Sequence, residues 1–134
     1  MRKIALPVLL ACLLHAPVAS AEWLLVSQDG FSKIYLDPAS RKRTPDGAIF
    51  ARALTDYDPQ SPEAAAFKLS EKGLSEVERV MIDCEKPAYR SEGGSWFVGH
   101  MATGARRSGY PAGSTWSKVP PYYLDLSTKL CGKE

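Results

Sequence analysis

Beyond its apolar leader the chain has one histidine, His100, and Met101 follows it directly. Both are haem-ligand types, but no Cys-x-x-Cys-His attachment motif accompanies them. One histidine cannot build a histidine-based zinc triad, so no metal site is expected. The simpler reading of His100 is a half-buried strand histidine bonded to a neighbour. A Ser-His-Asp set could be assembled from a serine, His100 and Asp83, yet no G-x-S-x-G elbow supports it. The nearest approach, Gly93-Gly94-Ser95-Trp96-Phe97, has Phe97 where the second glycine is needed for close helix packing. Glu76 and Glu78 fall on one strand face, a spacing that acid–base chemistry across a cleft could use. A solvated strand end explains them equally well. Gly93-Gly94 lacks the lysine and the helix of a phosphate loop. The residues therefore predict a protein that is not an enzyme and carries no cofactor.

Two features remain for binding. Arg41-Lys42-Arg43 is the densest basic cluster and precedes Thr44-Pro45 in a predicted loop. It is the candidate for contact with an acidic polymer or a protein partner, although a solvated turn is the commoner use of such a run. Trp23, Trp96, Phe97, Trp116, Tyr122 and Tyr123 could line a groove, although small β-rich cores consume most aromatic side chains.

Compartment follows from the first 21 residues. Met1-Arg2-Lys3 is a positive n-region, Ile4 to Val18 an apolar h-region, and Ala19-Ser20-Ala21 a small-x-small cleavage site. Pro7, His15 and Pro17 interrupt the h-region, which falls short of the roughly 18 apolar residues of a membrane span. Cleavage after Ala21 would leave residues 22–134 as a single periplasmic or secreted domain. Leu9-Leu10-Ala11-Cys12 resembles a lipobox, and lipidation at Cys12 would make an outer-membrane lipoprotein instead; the apolar run after Cys12 counts against it. The excess of two positive charges in the full chain equals Arg2 and Lys3, so the mature domain is near neutrality. Nucleic-acid binders normally carry a basic excess, and that class is disfavoured.

The elements that position these residues are mostly strands. Glu22 to Val26 and Lys33 to Leu36 flank Asp29-Gly30, a hairpin signal. Asp37-Pro38 should end the second strand, and Ala48 to Tyr57 reads as a third. Ser61-Pro62-Glu63 resembles a helix start with Ser61 as N-cap, running to about Lys72 with Gly73 as its stop. Ser75 to Cys84 reads as a strand with Val80, Ile82 and Cys84 on one face. A strand pair is expected from Ala88 to Met101, broken at Gly93-Gly94, and a last extended segment at Trp116 to Val119. After Pro120-Pro121, the residues Tyr123, Leu124, Leu126, Leu130 and Cys131 form an amphipathic helical stripe. In an oxidising compartment Cys84 and Cys131 should pair, pinning this short helix to the Val80–Ile82 face. The fold class is α+β, mainly β, with about six antiparallel strands.

The order of these landmarks resembles the surface-adhesin protein E family of proteobacterial exported proteins. It rests on Trp23, Ile34-Tyr35-Leu36-Asp37 with Ser40, and Ala51 to Asp56. Ile82-Asp83-Cys84, Arg90, Gly99, Gly104, Trp116, Val119-Pro120 and Cys131 continue it. The resemblance implies a curved antiparallel sheet with a C-terminal helix tied to its concave face by a disulfide. It implies loop and strand, in place of a helix, after Pro62. It also implies a protein partner of extracellular-matrix type and a homodimer. The alternative is a periplasmic small-ligand binder, with haem the candidate ligand at His100.

Overall fold

The computed structural model describes residues 22–132. The expected signal peptide, its cleavage site and Cys12 lie outside the described residues.

Six strands follow one another in space as they do in sequence: β1 (Leu24–Gln28), β2 (Ser32–Arg43), β3 (Ile49–Tyr57), β4 (Ser75–Asp83), β5 (Ala88–Phe97) and β6 (Arg106–Tyr110). All pairings are antiparallel, and a two-residue strand β7 (Ser117–Lys118) pairs with the start of β5. The meander follows from its short turns. At the first, the Asp29 carboxylate accepts the amides of Phe31 and Ser32 at 2.7 Å each, an Asx-type turn that closes the hairpin.

Asp37-Pro38 does not end β2. The strand runs on to Arg43, with the ladder to β3 interrupted between Asp37 and Lys42. Pro38 supplies no amide there, and the Ser40 hydroxyl fills the gap. It donates to the Asp37 carbonyl at 2.7 Å and accepts the Arg52 amide at 2.8 Å. Asp37 itself is buried and takes the Arg52 guanidinium at 3.2 Å. The basic run is accordingly the end of a strand and not a loop.

The segment after Pro62 is helical, but as two single turns, α1 (Glu63–Ala66) and α2 (Leu69–Lys72). Lys68 between them takes a left-handed conformation (φ 56°, ψ 44°), which breaks the expected continuous helix. Ser61 does not cap through its side chain; its hydroxyl bonds Glu63, and its carbonyl accepts the Ala64 amide. The loop and strand implied by the resemblance are not found here. Nor does β5 break at Gly93-Gly94. It bulges, with Glu92 and Gly93 opposing Arg79 alone, and Gly93 takes the positive φ of 94° that the bulge demands. Beyond Phe97 comes a 3-10 turn (His100–Ala102), then β6, which glycine punctuation concealed.

One face of the sheet carries Ile34, Leu36, Ile49, Ala51, Ala53, Val80 and Ile82, all buried. A 3-10 turn (Pro121–Tyr123) leads into α3 (Leu124–Cys131), whose Leu126 and Leu130 seal against that face with Tyr123 and Val119. Ala51 and Ala53 are the small residues under this cover, and their size lets it approach closely. Leu124, expected in the buried stripe, is 55% exposed. An eight-residue helix is marginal alone. Three ties hold it: its buried leucines, the Cys84–Cys131 disulfide with Cα atoms 5.6 Å apart, and the Arg41 guanidinium on the Leu130 carbonyl at 3.0 Å. The disulfide closes a 47-residue separation, worth roughly 4 kcal/mol in the chain-entropy account. Reduction, or Cys84→Ala, is expected to lower unfolding free energy by about 2–5 kcal/mol. Denaturant titration with and without reductant reads this, and α3 amides should lose hydrogen-exchange protection first.

Candidate functional site

The covers on this face leave a gap between them. α3 and its lead-in turn lie over one half. Over the other, Phe67, Leu69 and Phe31 close on Tyr57 and Trp96. Between them opens a groove of about 480 Å³ with aromatic walls (Phe31, Tyr57, Phe67, Trp96, Tyr122) and a floor of Ile34, Thr55 and Glu76. Register places the floor: Ile34 faces Thr55, Thr55 faces Glu76 and Glu76 faces Trp96 across four neighbouring strands. Tyr57 and Trp96 stack with centroids 5.5 Å apart. The Lys72 ammonium reaches over from α2, 3.7 Å from the Phe67 centroid and 5.7 Å from that of Trp96, a cation–π position.

Glu76 and Glu78 do share a face, but neither lies at a solvated strand end. Glu78 is only 7% exposed. One of its oxygens accepts the Tyr123 hydroxyl and the other the Tyr89 hydroxyl, both at 2.7 Å. Glu76 accepts the Tyr110 hydroxyl at 2.8 Å. Burial, and then the neighbouring carboxylates, hold the phenols of Tyr110, Tyr89 and Tyr123 above their ordinary ionisation range, so they remain donors. Burial also pushes the Glu76 carboxyl up to about 7, against the pull of its Tyr110 bond. Gly94 makes this geometry possible. It lies opposite both Glu78 and Tyr110, and a Cβ there would fall on the Tyr110 ring and hydroxyl.

The other residues singled out in the sequence scatter. His100 stands half-exposed at the sheet end, its Nδ1 3.1 Å from an Asp56 oxygen, beside a shallow cavity of about 270 Å³. Asp83 is committed elsewhere, accepting the amides of Glu85 and Lys86. Gly93 to Phe97 is strand, with no helix after it to form an elbow. Arg41 serves the α3 carbonyl and Arg43 the Gly47 carbonyl, leaving Lys42 exposed. Of the aromatics, Trp96 and Tyr122 line the groove and Tyr123 is buried. Trp23 and Trp116 hold Arg52 and Arg90 over their rings at 5.3 and 5.0 Å. Sequence reasoning missed Tyr89, Tyr110 and Lys72. The signal was there in part: two glutamates on one strand face need donors if that face is covered.

A pH effect follows from Glu76. Its folded value of about 7 lies above the ordinary 4.5, so between those pH values the native state binds the proton that the unfolded chain has released. This contribution is complete below about pH 4.5 and disappears as pH rises through 7. Glu76→Gln keeps an acceptor for Tyr110 and carries no charge. It should be more stable than the wild type by about 1–2 kcal/mol near pH 8 and equal to it near pH 4. Denaturation midpoints across that range give the comparison.

Residues 23–131 match the family profile of surface-adhesin protein E. No curated protein and no solved structure matches the chain. The match spans both cysteines, the carboxylate–tyrosine cluster and the groove. The fold agrees with what the resemblance implied for sheet, helix and disulfide. The chain belongs to the surface-adhesin protein E family.

Proposed function

We propose that this chain is an exported, non-enzymatic protein-binding module whose partners are proteins of the extracellular-matrix class. The family match over residues 23–131 carries this reading. The chemistry of the domain supports it. Tyrosine hydroxyls engage both oxygens of Glu78 and one of Glu76, and the imidazole of His100 is held by a carboxylate. Among the described residues no helix is long and apolar enough to cross a membrane.

The surface best suited to a protein is the open edge of β1. Leu24 and Leu25 are 43% and 46% exposed there, and Leu124 of α3 adds a third exposed apolar side chain. An unpaired strand edge offers main-chain hydrogen bonds to an incoming strand, with side-chain pockets for selection. One such hollow, of about 360 Å³, lies between β1 and α3. The same edge could join two copies into the homodimer. Lys42 is the member of the basic run left for an acidic contact.

Immobilised matrix proteins offered to the oxidised domain should give saturable binding with Kd of about 1 µM or tighter. Leu25→Lys should weaken it about tenfold without moving the unfolding midpoint. A sensor that stays flat across matrix proteins overturns the matrix assignment. For localisation, cleavage after Ala21 predicts an intact mass beginning at Glu22, less two hydrogens for the disulfide. A heavier, lipid-bearing species beginning at Cys12 replaces the periplasmic or secreted assignment with an outer-membrane lipoprotein.

A further inference from the structure

The groove between the two covers has features that a flat protein contact does not need. It is concave, its volume of about 480 Å³ lies within the range of small-ligand pockets, and its walls are aromatic. Its charges are unevenly compensated. Asp29, at the rim, is turned to the amides of Phe31 and Ser32. Glu76, on the floor, accepts Tyr110. Lys72 is different: its ammonium rests on the Phe67 and Trp96 rings and makes no ion pair among the described residues. Its field reaches Glu76 and draws that carboxyl partly back down, but no carboxylate sits in contact with it. An anion paired with it beside the apolar walls gains most, because the pair is formed away from bulk water.

We propose that this groove binds a small aryl carboxylate, its ring laid among Tyr57, Phe67, Trp96 and Tyr122 and its carboxylate paired with the Lys72 ammonium. Ring and wall meet as stacked or edge-on aromatics, the arrangement the walls already show among themselves. Glu76 favours the same ligand. Raised to about 7, its carboxyl is largely neutral in mildly acidic solution and can donate a hydrogen bond to the incoming carboxylate. Lys72 discriminates by charge, the aromatic walls by shape. Tyr122, 55% exposed at the mouth, closes the ring in. This gives small-ligand binding a location apart from His100, and it is independent of the matrix-binding reading, which concerns the β1 edge.

The test uses three probes of one shape, indole-3-acetate, indole-3-acetamide and tryptamine, titrated into the oxidised protein at about pH 6, below the Glu76 value, and followed by amide chemical shifts. The acid should bind at least tenfold tighter than the amide, with shifts at Lys72, Trp96 and Tyr122. Lys72→Met keeps an unbranched apolar side chain at this position and should erase the advantage of the acid. Lys72→Arg, which restores the charge, should recover most of it. Equal binding of acid and amide overturns the proposal, as does a Lys72→Met protein that still prefers the acid. Tighter binding of tryptamine also overturns it and makes the groove a cation site governed by Glu76. Absence of binding by all three overturns it outright.

Discussion

The carboxylate of Glu78, buried at the centre of the covered face, is the constraint on which the rest depends. A charged group there costs several kcal/mol unless its oxygens are hydrogen-bonded. The two donors come from different elements, Tyr89 on β5 and Tyr123 in the turn before α3. One residue of β4 thereby fixes both the neighbouring strand and the helical cover. Glu76, two residues earlier, extends the network to β6 through Tyr110. Among the described residues no buried side-chain nitrogen or oxygen lacks a partner. A polar cluster satisfied to that degree specifies one arrangement of strands, because any slip in register would strand a carboxylate.

Local backbone features serve this cluster. The bulge at Glu92-Gly93 shifts β5 so that Gly94, with no side chain, comes opposite Glu78. Tyr110 then crosses that opening to reach Glu76. On the far side, Ser40 repairs the β2–β3 ladder where Pro38 cannot donate, and β2 continues far enough for Arg41 to reach the end of α3. The helix is thus held at its start by Tyr123 and at its end by Arg41 and the disulfide. It is short because these ties replace the cooperativity a longer helix would need.

Covering the sheet with two small pieces has a functional consequence. One long helix would have sealed the face. Instead α3 and the α1–α2 turns meet imperfectly, and the unsealed strip is the aromatic groove with Glu76 at its floor and Lys72 on its wall. The break at Lys68 contributes directly, since the left-handed residue separates Phe67 from α2 and Lys72 closes that short turn. The domain therefore presents two surfaces of unlike chemistry: a concave aromatic strip, and an apolar strand edge at β1.

Much of this was legible in the residues. Asp29-Gly30 announced the first hairpin, alternation put Val80, Ile82 and Cys84 on the core face, and the helical stripe after Pro121 predicted α3. The two thiols of the domain, expected in an oxidising compartment, implied their own pairing. These are local signals, set by backbone sterics and side-chain period within a few residues. The sequence left Glu76 and Glu78 ambiguous, because a period of two says which face a residue takes and not what covers that face. It missed β6, whose five residues contain no apolar alternation and are held by pairing to β5. It placed Leu124 in the core because helix angle alone could not show which side of the stripe α3 would turn down. It read Arg41-Lys42-Arg43 as loop because the ladder repair by Ser40 lies across the strand pair. What the chain determined by itself was the succession of strands, the closing helix and its disulfide. The meeting of three tyrosines with two carboxylates, and the groove beside them, was decided only in the tertiary structure, where register, bulge and cover bring residues distant in sequence within hydrogen-bonding reach.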